Sequence, residues 1–194
     1  MRRGLIITIA CFAVLALTAQ AALAVSVHWK KGSPTFTDNG LTLTEAGTVS
    51  GVGGGDLLFQ LSATGTPTAD CVNPGSGEHR PPGHNPASVT TTGATPVPSS
   101  AFKNGNASYT TTTNPPTTPI PGAPECPSAS WTENITAIAW TSATLTIRQD
   151  TNGDASTDPT NPALYEVTVF GPASCSFSPP TADGAVPSSG FTCP

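Results

Sequence analysis

The stretch DTNGDASTD, at residues 150–158, concentrates oxygen ligands in the way that calcium-binding loops do. Four of its residues match the first three and the ninth ligand positions of an EF-hand loop. These residues are Asp150, Asn152, Asp154 and Asp158. The match then stops, because Ala155 occupies the sharp-turn position and Asn161 stands where a bidentate glutamate belongs. The stretch predicts a weak site for Ca²⁺, the one cofactor that the sequence suggests, or simply the polar tip of a hairpin.

Histidines and carboxylates elsewhere could support catalysis in a secreted metal-dependent or carboxylate-based enzyme. His28 would begin a copper-binding brace with His79 or His84 only if it were the mature N-terminus. Four acidic residues on or near expected strands could supply the carboxylate pair of a glycoside hydrolase. They are Glu45, Asp56, Glu133 and Glu166, and we expect them to face solvent. Because nothing marks two of them as partners, an enzyme is the least favoured function and no catalytic residue is assigned.

The aromatic residues allow two interpretations. A row of exposed rings would form the sugar-stacking platform of a carbohydrate-binding module. A small β-sandwich, however, needs large aromatic side chains in its core. The residues in question are Trp29, Tyr109, Trp131, Trp140 and Tyr165. We expect most of them to lie in the core.

The first 24 residues have the pattern of a signal peptide. Arg2 and Arg3 precede an apolar stretch at 5–18, and Ala-Leu-Ala at 22–24 provides a cleavage site between small residues. The apolar stretch is short for a membrane span and is followed directly by the cleavage site. Cys11 lies within it and is expected to be removed with it. The sequence therefore predicts a secreted, extracellular protein of residues 25–194 that is not inserted in the membrane after cleavage.

The charge of the expected mature chain excludes some partners. Removal of the two arginines leaves five basic residues against twelve acidic ones, a net charge of −7. The basic residues are scattered, so the chain lacks the basic patch that nucleic-acid binding requires. A polybasic segment for anionic membranes is missing as well. The partners that stay open are a cell-surface protein, a polysaccharide or further copies of the chain.

Four cysteines follow the expected cleavage site, and an even number in an exported chain predicts disulfide bonds. Three pairings are open, and we favour Cys71–Cys126 with Cys175–Cys193. The first would close the proline-rich middle of the chain, and the second would fix the C-terminal segment. A zinc site is disfavoured because the spacing is wide and contains no Cys-x-x-Cys pair.

Alternation of apolar and polar residues predicts an all-β protein. Such alternation runs through residues 25–30, 57–64 and 165–170, and shorter β-prone stretches occur at 41–49, 87–95 and 107–113. Residues 131–147 predict two further strands that meet near Thr141-Ser142. Asn-Gly pairs at 39–40, 104–105 and 152–153 are typical of type I′ hairpins. We expect an antiparallel β-sandwich, immunoglobulin-like or similar, with seven to nine short strands.

Two stretches are too rich in proline and glycine to be strands. They are residues 73–86 and 114–127, and proline cannot donate to a sheet hydrogen-bond ladder. We interpret them as long loops of a single disulfide-stabilised domain over residues 25–194. As linkers they would instead divide the chain, but the favoured Cys71–Cys126 bridge brackets this region and supports one domain.

The stretch NGNASYTTTTNPPTTPIPGAPECPSASWTENI, at 104–135, is preceded by VSVHWKKGSPTFTDNGLTLT at 25–44. Together they resemble a group of small secreted bacterial proteins to which no activity is assigned. The likeness covers most of the expected mature chain. It implies a bacterial, exported setting and contributes no ligand, cofactor or site residue.

These patterns favour a secreted structural, adhesive or binding protein, such as a component of the cell surface or of an extracellular assembly. Strand addition at a sheet edge is one route to such an assembly. A carbohydrate-binding module is the first alternative, and the secreted enzyme considered above is the second.

Overall fold

The computed structural model of the protein describes residues 26–73, 75, 87–117, 126–128 and 130–194. In these residues the chain forms ten strands and four single turns of 3₁₀ helix. The strands are β1 (His28–Trp29), β2 (Thr35–Asp38), β3 (Leu43–Ser50), β4 (Leu57–Val72), β5 (Val89–Val97), β6 (Asn106–Thr112), β7 (Thr132–Gln149), β8 (Val167–Phe177), β9 (Gly184–Val186) and β10 (Phe191–Thr192). Over the described ranges, none of the helices has the length and apolar character that a membrane crossing requires.

Two antiparallel sheets pack against each other, which confirms the expected all-β sandwich. Sheet I is built around β3, which pairs with β1, β2 and β6, while β9 pairs with β2. Sheet II has the order β10-β8-β7-β4-β5. The strand count is close to the expectation, but β4 and β7 are not short, since they span 16 and 18 residues.

The core lies between the two sheets and follows from the alternation in the sequence. On β4, Phe59 and Leu61 point inward and are almost completely buried, whereas Gln60 between them is only partly buried. Trp140 on β7 and Leu43 on β3 are completely buried in the same interior. Each large apolar side chain of this kind contributes roughly 1.5–3 kcal/mol when it leaves water, so the alternation fixes which face of each strand turns inward.

The expectation of two strands in residues 131–147 is wrong, because β7 runs without interruption from Thr132 to Gln149. The register between β4 and β7 shifts where Thr64 pairs with Ser142 and Gly65 pairs with Trp140. Thr141 is therefore an extra residue on β7, and its hydroxyl donates to the carbonyl oxygen of Thr64 at 3.0 Å. A β-bulge accommodates such a residue while the strand continues, so the Thr141-Ser142 signal marks a bulge and not a turn.

The three Asn-Gly pairs differ in backbone conformation. Asn104 and Gly105 both have positive φ, at 52° and 71°, and the flanking Lys103 and Asn106 form a bridge, as a type I′ turn requires. At the other two pairs only Gly40 and Gly153 have positive φ. The pair at 39–40 belongs to a four-residue connection between β2 and β3, and the pair at 152–153 begins the long connection between β7 and β8.

Both expected disulfides are present. Cys71 is bonded to Cys126 with the two Cα atoms 5.6 Å apart, and Cys175 is bonded to Cys193 with a Cα separation of 4.2 Å. The zinc alternative is thereby excluded for these four cysteines, since their sulfur atoms are used in the bonds. Two disulfides indicate an oxidising compartment.

Several expectations concern parts of the chain outside the described residues. These parts include the expected signal peptide at 1–24 with Cys11, and most of the two proline-rich stretches at 73–86 and 114–127. His79 and His84 lie there too, so the copper-brace interpretation stays untested.

Candidate functional site

A concave depression of about 450 Å³ lies on the outer face of sheet II, and we call it the trough. This volume is within the range of small-ligand sites. Side chains of three neighbouring strands form its floor, with Asn114 at one side and Pro162 at the other. The lining residues are Gln60, Leu61, Ser62, Thr92, Gly93, Ala94, Asn114, Thr144, Thr146 and Pro162.

The floor of the trough consists of cross-strand rows that the sheet register fixes. In one row, Ser62 of β4 is paired with Thr92 of β5 on one side and with Thr144 of β7 on the other. Ser174 of β8 stands opposite Thr144 and extends this row to a fourth strand. Neighbouring strands are about 4.8 Å apart, so the row of four hydroxyl groups spans about 14 Å. Gln60 belongs to the next row, with Ala94 and Thr146 as its partners.

Most polar side chains of the trough form no hydrogen bond within the described part of the protein. Among the described residues, the side chains of Gln60, Ser62, Thr92 and Thr146 have no hydrogen-bond partner, whereas Thr144 shares a bond of 2.9 Å with Ser174. Asn114 is anchored, since its side-chain amide donates to the carbonyl oxygen of Thr92 at 2.9 Å. Each free hydroxyl offers one donor and two acceptor positions to a ligand or to water.

The connection between β7 and β8, residues 150–166, forms one wall of the trough. Tyr165 is 99 % buried against Leu58 and Ala155, on the outer face of sheet II one row beyond Gln60. The Tyr165 hydroxyl donates to the carbonyl oxygen of Pro159 at 2.8 Å. Arg148 donates from Nη1 to the carbonyl oxygen of Pro162 at 3.0 Å. These contacts fix Pro162 at the edge of the trough.

The carboxylate of Asp150 accepts backbone hydrogen bonds at the start of the same connection. Its Oδ1 accepts hydrogen bonds from the backbone N–H groups of Asn152, at 3.0 Å, and Gly153, at 2.7 Å, and its Oδ2 accepts one from Ala155 at 3.1 Å. Burial alone would raise the pKa of Asp150, but the backbone donors outweigh it and lower the pKa below the ordinary value of 3.8. The carboxylate therefore stays ionised and acts as a cap for the loop that carries the wall.

The loop also brings three carboxylates together. Oxygen atoms of Asp150, Asp154 and Glu166 all lie within 4.8 Å of one another. Asp158, which the sequence suggested as a ligand, is outside this group among the described residues, and its Oδ1 accepts a bond from Thr160. Hydrogen bonds from the backbone and side chain of Thr151 lower the pKa of Glu166. Calcium binding at this loop stays a prediction.

The asparagine of the predicted calcium set has a different role in the loop. The Asn152 side-chain amide donates to Asp154 Oδ2 at 3.0 Å, and its side-chain oxygen accepts from the backbone of Asp154 at 2.9 Å. The oxygen of Asn152 is thus already bonded inside the loop, and Glu166 stands beside the two aspartates in its place.

The expectation that Glu45 faces solvent is wrong. Glu45 is 99 % buried, because it alternates in phase with the inward-facing Leu43 on β3. The Tyr109 hydroxyl donates to Glu45 Oε1 at 2.7 Å, and Trp29 Nε1 donates to the Tyr109 hydroxyl at 3.0 Å. Burial raises the pKa of Glu45 to about 7, although the Tyr109 bond acts in the opposite direction.

The other carboxylate candidates do not converge on Glu45. Asp56 accepts a bond from the backbone of Ser99 at 2.7 Å, Glu133 lies on β7 opposite Cys71, and Glu166 belongs to the 150–166 connection. Burial raises the pKa of Glu133. The four residues suggested by the sequence therefore form no common site.

Most of the aromatic residues lie in the core, as expected. Trp140 and Tyr109 are buried between the sheets and Trp29 packs against the same interior, whereas Tyr165 is buried on the outer face of sheet II and Trp131 is partly buried. Trp29 packs edge-on against Phe170, with ring centroids 5.0 Å apart. None of these five aromatic residues lines the trough. His28 is exposed, and its Nδ1 lies 2.8 Å from the carbonyl oxygen of Ser26.

No motif in the sequence directly indicates the trough. Its residues come from β4, β5 and β7, and their alignment depends on a register between strands about 30 to 80 residues apart in the chain. Alternation along the strands does identify outward-facing polar positions, because Gln60, Ser62, Thr144 and Thr146 alternate with core residues. That phase shows which residues face outward, but not which of them become neighbours.

No family model, curated protein or solved structure matches the chain. Its resemblance to small secreted bacterial proteins therefore stays an expectation, and any function has to be argued from the site itself.

Proposed function

We propose that the protein is a secreted, extracellular binding protein with a structural or adhesive role, and that it contacts its partner through the trough. The observation that carries this proposal is a depression lined by Gln60, Ser62, Thr92 and Thr146, whose side chains have no hydrogen-bond partner among the described residues. Polar groups that are left free on a rigid sheet are available to an external partner without rearrangement. The two disulfides agree with an extracellular location.

The trough can be blocked without disturbing the core. Thr92 is exposed, its side chain is unbonded, and it points out of sheet II at the trough. Thr37 is its counterpart, an exposed threonine with an unbonded side chain on the outer side of sheet I. Thr92→Trp and Thr37→Trp therefore introduce the same bulk on opposite sides of the molecule.

We test the proposal by measuring how much purified protein adsorbs to the surface of the producing cells. Wild type and Thr37→Trp are expected to adsorb equally, and Thr92→Trp to lose at least tenfold in affinity. Equal adsorption of all three proteins, or none by the wild type, would contradict a binding role for the trough. Circular dichroism and thermal unfolding establish that both variants are folded.

A second function is favoured by the free edge of β8. Residues 167–173 lie along β7 on one side, while β10 pairs only with Ser176 and Phe177 on the other. Val167 at this edge is 45 % exposed, unlike any other large hydrophobic residue described. Gly171 and Pro172 interrupt the edge, because Gly171 has positive φ and proline has no N–H to donate. An added strand would thus pair with residues 167–170.

Self-assembly through this edge is tested by light scattering and electron microscopy at high protein concentration. Oligomers or fibres that Val167→Lys abolishes would support strand addition. A strict monomer at millimolar concentration would exclude it.

A further inference from the structure

We propose that the ligand of the trough is a neutral polysaccharide whose chain lies across the strands of sheet II. This inference rests on the binding role proposed above and adds the chemical class of the partner. It is carried by the chemistry of the lining, the charge of the protein and the shape of the depression.

Among the described residues the lining carries no charged side chain, and its polar groups lie among larger apolar surfaces. The polar groups are the hydroxyls of Ser62, Thr92, Thr144 and Thr146 and the amide of Gln60. A charged ligand would lose water here without meeting an opposite charge, which costs free energy. A ligand that itself carries many hydroxyl groups can exchange its bonds to water for bonds to these donors and acceptors.

The charge of the protein also selects against acidic polymers. The chain carries a net charge of −5, and five carboxylates lie in or beside the 150–166 connection that builds one wall. They are Asp56, Asp150, Asp154, Asp158 and Glu166. Anionic polysaccharides and nucleic acids would be repelled during their approach, whereas a neutral chain is unaffected.

The trough extends across three neighbouring strands, which suits an extended ligand. Asn114 is bonded to Thr92 of β5 and Pro162 to Arg148 of β7, and the hydroxyl row at Ser62 continues through Thr144 to Ser174 on β8, beyond the lining itself. A chain that follows this row meets a hydroxyl group about every 4.8 Å over about 14 Å. Apolar surfaces, among them those of Ala94 and Pro162, make up the larger part of the lining.

The contact differs from stacking of sugars on aromatic rings, since none of the described lining residues is aromatic. Recognition would depend on direct and water-mediated hydrogen bonds, which are nearly equivalent in enthalpy. We therefore expect modest affinity for a single chain and higher retention on a solid polysaccharide, where many chains are presented side by side.

The experiment measures adsorption of the full-length secreted protein to insoluble cellulose, chitin, xylan and mannan, with pectate as the acidic comparison. The proposal predicts adsorption to at least one neutral polysaccharide and none to pectate. Thr92→Trp and Gln60→Ala should each reduce that adsorption, by at least tenfold and about threefold, whereas Thr37→Trp should leave it unchanged. Gln60→Ala removes only an amide, so its effect does not depend on tolerance of a bulky side chain.

A parallel measurement separates this inference from the proposed function. Surfaces of the producing cells are oxidised with periodate, which cleaves the vicinal diols of sugars, before adsorption is measured. Loss of trough-dependent adsorption supports a glycan partner. Periodate-resistant adsorption that Thr92→Trp still abolishes would overturn the glycan assignment and leave the binding role intact. If neither Thr92→Trp nor Gln60→Ala reduces adsorption to neutral polysaccharides, the trough is not their binding site.

Discussion

The hydroxyl group of Tyr109 donates a 2.7 Å hydrogen bond to the carboxyl group of Glu45 between the two sheets. Tyr109 is the titratable side chain that contacts Glu45 in the described part of the chain. A carboxylate in this place would have lost most of its hydration with no cation to compensate for it. Glu45 is therefore held in its neutral form to a higher pH than an exposed glutamate.

The stability of the protein should consequently fall between pH 4.5 and about pH 7. Below pH 4.5 the Glu45 carboxyl is protonated in both the folded and the unfolded chain. As the pH rises, the unfolded chain loses this proton first, and the folded state follows only near its raised pKa of about 7. The free energy of unfolding should drop by up to about 3 kcal/mol over this interval and then level off.

Urea unfolding of the wild type and of Glu45→Gln across this pH range isolates the effect of Glu45. The glutamine cannot ionise, so the difference in unfolding free energy between the two proteins should change with pH. A difference that stays constant from pH 4.5 to pH 8 would mean that Glu45 ionises normally in the folded protein.

Removal of the Asp150 carboxylate should loosen the connection that forms the wall of the trough. Asp150→Ala leaves three backbone N–H groups without their acceptor and is expected to lower the free energy of unfolding clearly more than a control substitution in the same loop. Amide hydrogen exchange should accelerate in residues 150–166 and stay slow in β4. Asp158→Ala is the matched control, since Asp158 is exposed and accepts only a bond from Thr160, and its cost should be below about 0.5 kcal/mol.

Because the lowered pKa of Asp150 keeps it ionised, its contribution should be present above the ordinary value of 3.8 and vanish as the pH falls through the folded pKa. The stability gap between wild type and Asp150→Ala should therefore shrink in strong acid. A gap that grows on acidification would contradict the capping role.

The carboxylates of Asp150, Asp154 and Glu166 also allow a direct test of calcium binding. If the loop binds Ca²⁺ with millimolar affinity, 10 mM calcium should stabilise the folded state by about 1.4 kcal/mol and raise the melting temperature. Glu166→Gln should abolish the increase. The same melting temperature with calcium as with a chelator would contradict this prediction. The loop would then have only the structural role of a wall of the trough.

Replacement of Gly93 should destabilise the protein for a steric reason. A Cβ atom at this position would lie 1.9 Å from the carbonyl oxygen of Thr112, where β5 and β6 approach each other. Gly93→Ala must therefore displace one of these strands, at an expected cost of about 1–3 kcal/mol. Gly54→Ala, whose Cβ would meet no atom within 4 Å, should be within about 0.5 kcal/mol of the wild type in the same unfolding experiment.

Local sequence patterns are sufficient to predict which face of a strand turns inward. Alternation along residues 57–64 identified the inward face of β4, and the wide cysteine spacing was compatible with the disulfides that form. The same rule applied to β3 would have placed Glu45 inward, in phase with Leu43. A carboxylate normally faces solvent, but here the alternation of the strand decides the position of Glu45. Protonation and Tyr109 make the buried position tolerable.

Features that depend on register could not be predicted. The bulge at Thr141 and the long uninterrupted β7 follow from pairing with β4, which is distant in the chain. The trough needs Ser62 to stand beside both Thr92 and Thr144, and a shift of one residue on either neighbour would place a core residue there instead. Residues 150–158 suggested a metal site, which stays a prediction, and in the structure Asp150 caps the loop while Ala155 packs against Tyr165.

The central claim is that the trough on sheet II binds a neutral polysaccharide, and amide chemical-shift mapping tests it most directly. Soluble fragments of cellulose, chitin, xylan and mannan are titrated into the isotope-labelled protein. The claim predicts that at least one fragment shifts signals of Gln60, Ser62, Thr92, Thr144 and the Asn114 side chain, and leaves the exposed threonines of sheet I unchanged. Shifts confined to sheet I, or no shifts with any fragment, would contradict it.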